Sequence, residues 1–254
     1  MHSFRAAVIT SGGLCPGMNV VLHELNKHTR RGRRRIVGFR NGYKGVYKKE
    51  YADLSMFERH MYRNAPGCVI GTSRADFDAY DLADSITSIG IRELYIVGGN
   101  GTLTGAYELS KLLTDTQVIG IPKTIDNDIC GIDYSFGFHT AVDSSIRAVE
   151  AAYTEARDFG GIAVVRLMGR DSGFLCRQAA IASGVCDVCI IPEEENNLDD
   201  IIERIESIYK MQGHCTVAIT DGVKLSLTLC DNLLERVQCP IKFVDPGYTL
   251  RSTP

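Results

Sequence analysis

Along this chain, short runs of β-branched and apolar residues recur between longer stretches in which apolar side chains return every three or four positions. The runs predict strands over residues 4–10, 35–39, 93–97, 116–120, 161–167, 188–191, 216–220 and 241–244. The periodic stretches predict helices over 18–29, 78–89, 103–113, 138–159, 173–183 and 198–211. Strand and helix in alternation are the pattern of a parallel α/β sheet. The helix with Ile146, Val149, Ala152 and Tyr153 on one face is long enough to carry the chain from one lobe to another. Two lobes, 1–137 and 138–254, are therefore expected.

Composition narrows the setting. A length of 254 residues with 44% apolar content fills one large core or two smaller ones. A net charge of −3 with 23% charged residues supplies no global field for nucleic acid or an anionic membrane. The basic run Arg30-Arg-Gly-Arg-Arg-Arg35 lacks the aromatics or motif of a nucleic-acid face and reads as a charge complement to a helix C-terminus. No apolar run approaches 18 residues, and the chain opens straight into a strand, so a soluble, cytoplasmic protein is expected. The nine cysteines are scattered through apolar stretches and read as reduced, buried thiols. Cys186 and Cys189 form a CxxC, but no second pair or spaced histidines complete a metal site.

Candidate chemistry gathers where strands empty into glycine. After the first strand comes Thr10-Ser-Gly-Gly-Leu-Cys-Pro-Gly-Met-Asn19, a layout in which glycines let backbone N–H groups approach an anion at a positive helix end. It fits neither the dinucleotide GxGxxG fingerprint nor a Walker A loop, and a merely structural glycine turn would look the same. A second strand empties into Gly98-Gly-Asn-Gly-Thr102, whose threonine hydroxyl is placed to cap the helix or touch phosphate. In a parallel sheet both loops fall at strand carboxyl ends, where ligands collect. The third motif, Gly120-Ile-Pro-Lys-Thr-Ile-Asp-Asn-Asp128, crowds two carboxylates, an amide, a hydroxyl and an ammonium together. In an extended segment Asp126 and Asp128 share a side, so one can take a proton while the other helps hold a cation.

With these motifs stand Gly71-Thr-Ser-Arg74, Phe136-Gly-Phe138, Met168-Gly-Arg-Asp-Ser-Gly-Phe174 and Asp245-Pro-Gly-Tyr-Thr-Leu-Arg251. In this order, over nearly the whole chain, they resemble the phosphofructokinase family. The second loop alone would also suit NAD kinases and lipid kinases; the Lys-Thr-Ile-Asp-Asn-Asp and Met-Gly-Arg-Asp-Ser-Gly motifs separate them. The resemblance implies two Rossmann-like three-layer lobes with mostly parallel sheets and an active site in the cleft between them. It implies a donor-binding lobe over 1–137 and a sugar-phosphate lobe over 138–254, shorter at its C-terminus than the family. The implied reaction is glycolytic: phosphoryl transfer to the 1-hydroxyl of fructose 6-phosphate, with Mg2+ and either ATP or pyrophosphate as donor.

Carried over by motif, Asp126 is the general base and Arg170 the clamp on the transferring phosphoryl group, with Thr124 and Asp128 beside them in catalysis. Thr124, Met168, Gly169, Asp221, Tyr248 and Arg251 match sugar-phosphate contacts, Arg251 being suited to the 6-phosphate. Gly12, Arg74, Gly99, Asn100, Gly101, Thr102 and Lys123 match the donor side. Gly101 resembles the nucleotide-using members and Lys123 the pyrophosphate-using ones, a combination similar to the plant-like ATP-dependent branch. Asn100 stands where the family carries a magnesium-binding aspartate, so the metal set implied is Asp128 and a weakened Asn100. Asp221 stands where the family shows a glutamate. A homo-oligomer, dimer or tetramer, is expected. The reading that competes is a non-catalytic sugar-phosphate-binding homologue or regulatory subunit, motivated by Asn100 and the short end.

Overall fold

A computed structural model describes residues 4–32, 35–58, 60–74 and 77–253, so the middle of the basic run, Arg33 and Arg34, lies outside the described residues. Its contacts divide the chain into two compact units. The first contains 4–124 and 129–137; the second contains 125–128 and 138–253. The division is not at one point in the sequence, because residues 125–128 go with the second unit. One tie is the Ser172 hydroxyl, which donates to the Asp126 carbonyl at 2.6 Å.

The first unit runs β1 (Ala6–Thr10), α1 (Met18–Arg31), β2 (Ile36–Phe39), α2 (Tyr43–Tyr47), β3 (Tyr51–Asp53), α3 (His60–Arg63), α4 (Ala79–Ile89), β4 (Glu93–Gly98), α5 (Asn100–Leu112) and β5 (Gln117–Pro122). Its sheet has the order β3-β2-β1-β4-β5 and is parallel except for β3, which pairs antiparallel with β2. Central β1 is buried throughout, and its side chains alternate between two cores. Ala7 and Ile9 join Phe39, Leu82, Ile86 and Leu94 on one face; Ala6 and Val8 join Val21, Leu22, Ile36 and Ile70 on the other. Burial on both faces explains why these strands read as continuous apolar runs. Each fully buried Ile or Leu here contributes about 1.5–3 kcal/mol.

The second unit runs α6 (Phe138–Phe159), β6 (Ile162–Leu167), α7 (Phe174–Ser183), β7 (Val188–Ile190), α8 (Leu198–Gln212), β8 (Cys215–Thr220), α9 (Leu229–Arg236), β9 (Ile241–Val244) and α10 (Gly247–Ser252). Its sheet is parallel, in the order β7-β8-β6-β9. Ile162 and Val164 of β6 pack with Val188, Val217, Ile219, Ile202 and Ile205 in one core.

Every predicted strand and helix is present. The sequence pattern did not announce β3, a three-residue antiparallel edge strand, nor the short helices α2, α3, α9 and α10. The cysteines need a correction. All are free, but only Cys15, Cys176 and Cys215 are fully buried, and Cys130 is exposed. Cys130 lies in the turn after Asp128, where no element covers it. Among the described residues no helix is long and apolar enough to cross a membrane.

Candidate active site

Helix starts separate into two kinds. α4 and α8 are capped by side chains: Asp78 accepts from the Tyr80 and Asp81 N–H groups, and Asn197 from those of Asp199 and Asp200. α1, α5 and α7 begin instead at Gly17, Gly99 and Gly173, with no side-chain cap. Those three follow the glycine motifs.

In the first unit the order β3-β2-β1-β4-β5 reverses direction between β1 and β4, and the two glycine loops leave the carboxyl ends of those strands. This is the switch point at which open α/β sheets bind ligands. Gly12 has φ 91°, a left-handed conformation open to glycine. A Cβ there would lie 3.3 Å from Lys123 Nζ and 3.8 Å from Thr102 Oγ1, so these three residues, expected from the sequence on the donor side, converge. Lys123 is buried, 3% exposed, and its ammonium donates to the Gly13 carbonyl at 2.7 Å. The Gly12 N–H is not available to an anion, since it donates to the Ser73 carbonyl at 2.9 Å. The Thr72 hydroxyl donates to the Gly12 carbonyl at 3.0 Å, and the Thr10 hydroxyl to the Gly71 carbonyl at 2.6 Å. These bonds hold Gly71–Arg74 against the first loop and set exposed Arg74 at its side.

Gly98 is required by packing: a Cβ would run into the Thr102 side chain. Thr102 is buried, and its carbonyl accepts from the Tyr43 hydroxyl at 3.4 Å. A Cβ on Gly101 would meet nothing within 4 Å. Thr124 falls with this set: its Cβ is 3.9 Å from the Cβ position of Gly99, and its carbonyl accepts from the Ser135 hydroxyl. Asn100 is exposed at the first position of α5.

In the second unit β8, β6 and β9 lie side by side, and the loops at their carboxyl ends carry Asp221, Met168–Arg170 and Asp245–Arg251. Arg170 has φ 50°, which costs a side chain with a Cβ about 1–2 kcal/mol. Two neighbours hold it there. Its N–H donates to Asp221 Oδ1 at 2.8 Å, and its carbonyl occupies the space that a Cβ on Gly222 would need. Strain held by such neighbours is a mark of functional loops. The Gly173 N–H ends this loop by donating to Glu193 Oε1 at 2.7 Å.

Asp126 is the electrostatic centre of the unit. Burial pushes its carboxyl above the usual range; Asp128 and Asp221 push the same way, while Arg251 and Arg170 pull it back. Asp128, Asp221, Arg170 and Arg251 therefore all act on Asp126. Met168 Cε lies 3.2 Å from the Cβ position of Gly247, at the start of α10, which carries Tyr248 and Arg251. Tyr248 is 85% exposed.

Several participants escaped sequence reasoning. Asp245 accepts from the Gly247 N–H at 3.0 Å through Oδ1 and pairs with Arg166 at 3.1 Å through Oδ2. An Asp-Pro-Gly turn signals the first bond; nothing in the sequence signals a partner on β6. Ser172, Ser73 and Glu193 likewise act through tertiary contacts. Among the described residues no group of three or more His, Cys, Asp or Glu is gathered to hold a metal.

Residues 5–254 match the family model for phosphofructokinase. The chain belongs to the phosphofructokinase family. Among the relatives of this phosphofructokinase-family chain are ATP-dependent 6-phosphofructokinase 1 of Arabidopsis thaliana, 36% identical over 98% of this chain and 61% of that protein, and ATP-dependent 6-phosphofructokinase of Trypanosoma cruzi, 33% identical over 97% and 59%. The chain thus spans about three-fifths of the length of these curated relatives. The fold is shared with the phosphofructokinase from Saccharomyces cerevisiae, with TM-score 0.87, 24% identity and coverage of 98% of this chain and 39% of that one. It is shared also with the pyrophosphate-dependent phosphofructokinase from Nitrosospira multiformis, with TM-score 0.87, 22% identity and coverage of 97% and 69%.

Proposed function

We propose that this chain is a 6-phosphofructokinase, moving the γ-phosphoryl group of ATP onto the 1-hydroxyl of fructose 6-phosphate to give fructose 1,6-bisphosphate. The observation that carries the reading is the charged group around Asp126: a partly buried carboxylate with its affinity for protons raised, set among two arginines. In the reaction Asp126 takes the proton of the attacking hydroxyl, a role that suits a carboxylate held above its ordinary pKa. Arg170 stabilises the equatorial oxygens of the transferring group, and its left-handed backbone is held by the Asp221 carboxylate and the close approach of Gly222. Arg251 holds the sugar 6-phosphate as a bidentate donor, with Met168 and Gly169 beside it and Tyr248 at the margin.

The donor phosphates are assigned to the uncapped start of α5, with Gly12, Gly99, Thr102, Lys123 and Arg74 around it. Lys123 and Asp126 are three residues apart, so the chain itself keeps their Cα atoms within about 11 Å. Thr124, grouped with the donor loops, spans the same short link. The oxygen donors that the family resemblance assigns to Mg2+ are the Asp128 carboxylate of the second unit and the neutral Asn100 amide of the first, each taken by itself. They suit an ion that keeps several waters and arrives on the donor phosphates rather than one caged by protein. Bound there, Mg2+ would neutralise charge on those phosphates.

ATP is favoured as donor because side-chain space at Gly101 is open, and because the Arabidopsis thaliana and Trypanosoma cruzi relatives named above are ATP-dependent enzymes. One observation favours pyrophosphate as a second reading: the buried Lys123 ammonium beside Gly12. A coupled assay with fructose 6-phosphate decides, supplying ATP or pyrophosphate across magnesium concentrations. Turnover with ATP is expected; turnover with pyrophosphate alone would reverse the donor, and saturable binding without turnover from either would leave a binding homologue. The same reading includes a cytoplasmic homo-oligomer, dimer or tetramer, checked by fractionation and sedimentation.

A further inference from the structure

Away from the charged group, the second unit brings two thiols together across an element boundary. Cys176 lies in the first turn of α7 and is fully buried; Cys189 lies on β7 and is partly exposed. Their sulfurs are 3.8 Å apart although the residues are 13 positions apart in sequence. We propose that Cys176 and Cys189 form an oxidisable dithiol, which hydrogen peroxide converts to a reversible disulfide tying α7 to β7.

The two sulfurs are chemically unequal in the way such a pair requires. The two thiols share a hydrogen bond that either sulfur can donate; with the proton on Cys176, the bond favours the thiolate on Cys189. Burial, Glu194 and Glu193 oppose ionisation of Cys189, and Arg177 assists it. The thiolate is the nucleophile in thiol oxidation and peroxide must reach it, so the partly exposed Cys189 reacts first and the buried Cys176 second. In the first step the Cys189 thiolate attacks one peroxide oxygen, forming a sulfenic acid, and the other oxygen leaves as water after taking a proton. In the second step the Cys176 sulfur, losing its proton, attacks the sulfenic sulfur and expels a second water. Two thiols are oxidised by two electrons and one peroxide is reduced to two waters.

The neighbouring thiols are poorer competitors. Burial pushes Cys186 and Cys215 up to about 12, and Cys186 is engaged with the Val188 carbonyl at 3.3 Å. Cys130 is the exposed thiol and serves as a reactivity control. Because the linkage is read without substrate, it stands or falls separately from the phosphotransfer reading.

The test is peptide mapping of the intact folded chain, treated with hydrogen peroxide, alkylated and digested by trypsin without reductant. The expected product is residues 171–177 linked to residues 178–204, two hydrogens lighter than the free peptides and lost on adding dithiothreitol, with fragmentation placing the bond at Cys189. In Cys176→Ser protein, dimedone should trap a Cys189 sulfenic acid; if that variant does not fold, the mapping of the native chain still decides. Residues 171–177 recovered fully alkylated while Cys130 is oxidised, or a bond placed at Cys186, would overturn the proposal.

Discussion

The two units hold opposite charges. The first holds an ammonium, Lys123, among glycines and carbonyls; the second holds a carboxylate, Asp126, among fixed charges. In the first unit the glycine loops work mainly through backbone, so what matters is where a Cβ is missing: at Gly12 beside Lys123, at Gly98 beneath Thr102, at Gly101 in open space. In the second unit the prominent features are charged side chains around Asp126 and a left-handed backbone at Arg170, φ 50°. Handling a polyanionic donor calls for many modest dipoles and one cation. Handling a hydroxyl that must lose a proton calls for one group whose proton affinity is raised and whose neighbours are held in place.

The sharpest way to break this comparison is Asp126→Asn. Turnover with fructose 6-phosphate should fall by about 10²–10⁴-fold, measured at saturating substrates. The same change should raise the thermal midpoint at neutral pH. The sign follows from the raised pKa: the folded state prefers the protonated carboxyl, so the contribution of this group to stability is greatest at low pH and is lost as pH rises through the folded pKa. Removing the charge removes that cost. A lower melting temperature at pH 7 would show that the ionised carboxylate is instead a stabilising partner of the arginines. The acid limb of the turnover profile in the unaltered protein should correspondingly lie above the ordinary carboxylate range.

A smaller effect is expected at the support of α10. Asp245→Asn keeps an oxygen for the Gly247 N–H but removes the ion pair with Arg166. The pair is partly exposed, 23% and 40% at its two side chains, so its loss should raise KM for fructose 6-phosphate only about two- to fivefold with kcat held. A fall in kcat without a change in KM would place Asp245 in the chemistry rather than in positioning Arg251.

The smallest effect tests the first unit. Asn100→Asp puts a carboxylate at the first position of α5, where the helix dipole favours it by about 0.3–1 kcal/mol, and gives Mg2+ a charged ligand. The magnesium concentration needed for half-maximal turnover should fall, with a slightly higher melting temperature. An unchanged magnesium requirement with the melting gain alone would take Asn100 out of the metal's surroundings.

Much of the fold was legible because its strands are buried on both faces. Ala6–Thr10 and Cys215–Thr220 are apolar throughout or nearly so, which a parallel sheet demands and a loop does not. β3 left no such mark: with three residues at an antiparallel edge it has too few buried positions to make a pattern. α10 was hidden by Pro246, which reads as a break although it stands just before the first helical turn. The burial of the cysteines was misread for a related reason. An apolar run predicts a buried strand, but Cys186 precedes β7 and Cys130 sits in a turn, where neighbours in sequence do not provide cover.

For the site the division is between positions and partners. The sequence alone determined where the reactive groups stand along the chain, because glycine turns, paired carboxylates and strand ends are local features whose chemistry follows from residue type and spacing. Tertiary structure alone decided which of them meet. It brought Lys123 to Gly12 from across the sheet, set Thr124 with the donor loops, gave the Gly12 N–H to Ser73, and paired Arg166 with Asp245 from 79 residues away. Those contacts depend on strand order and on the direction in which each side chain leaves its strand, and neither is written in any local stretch of residues.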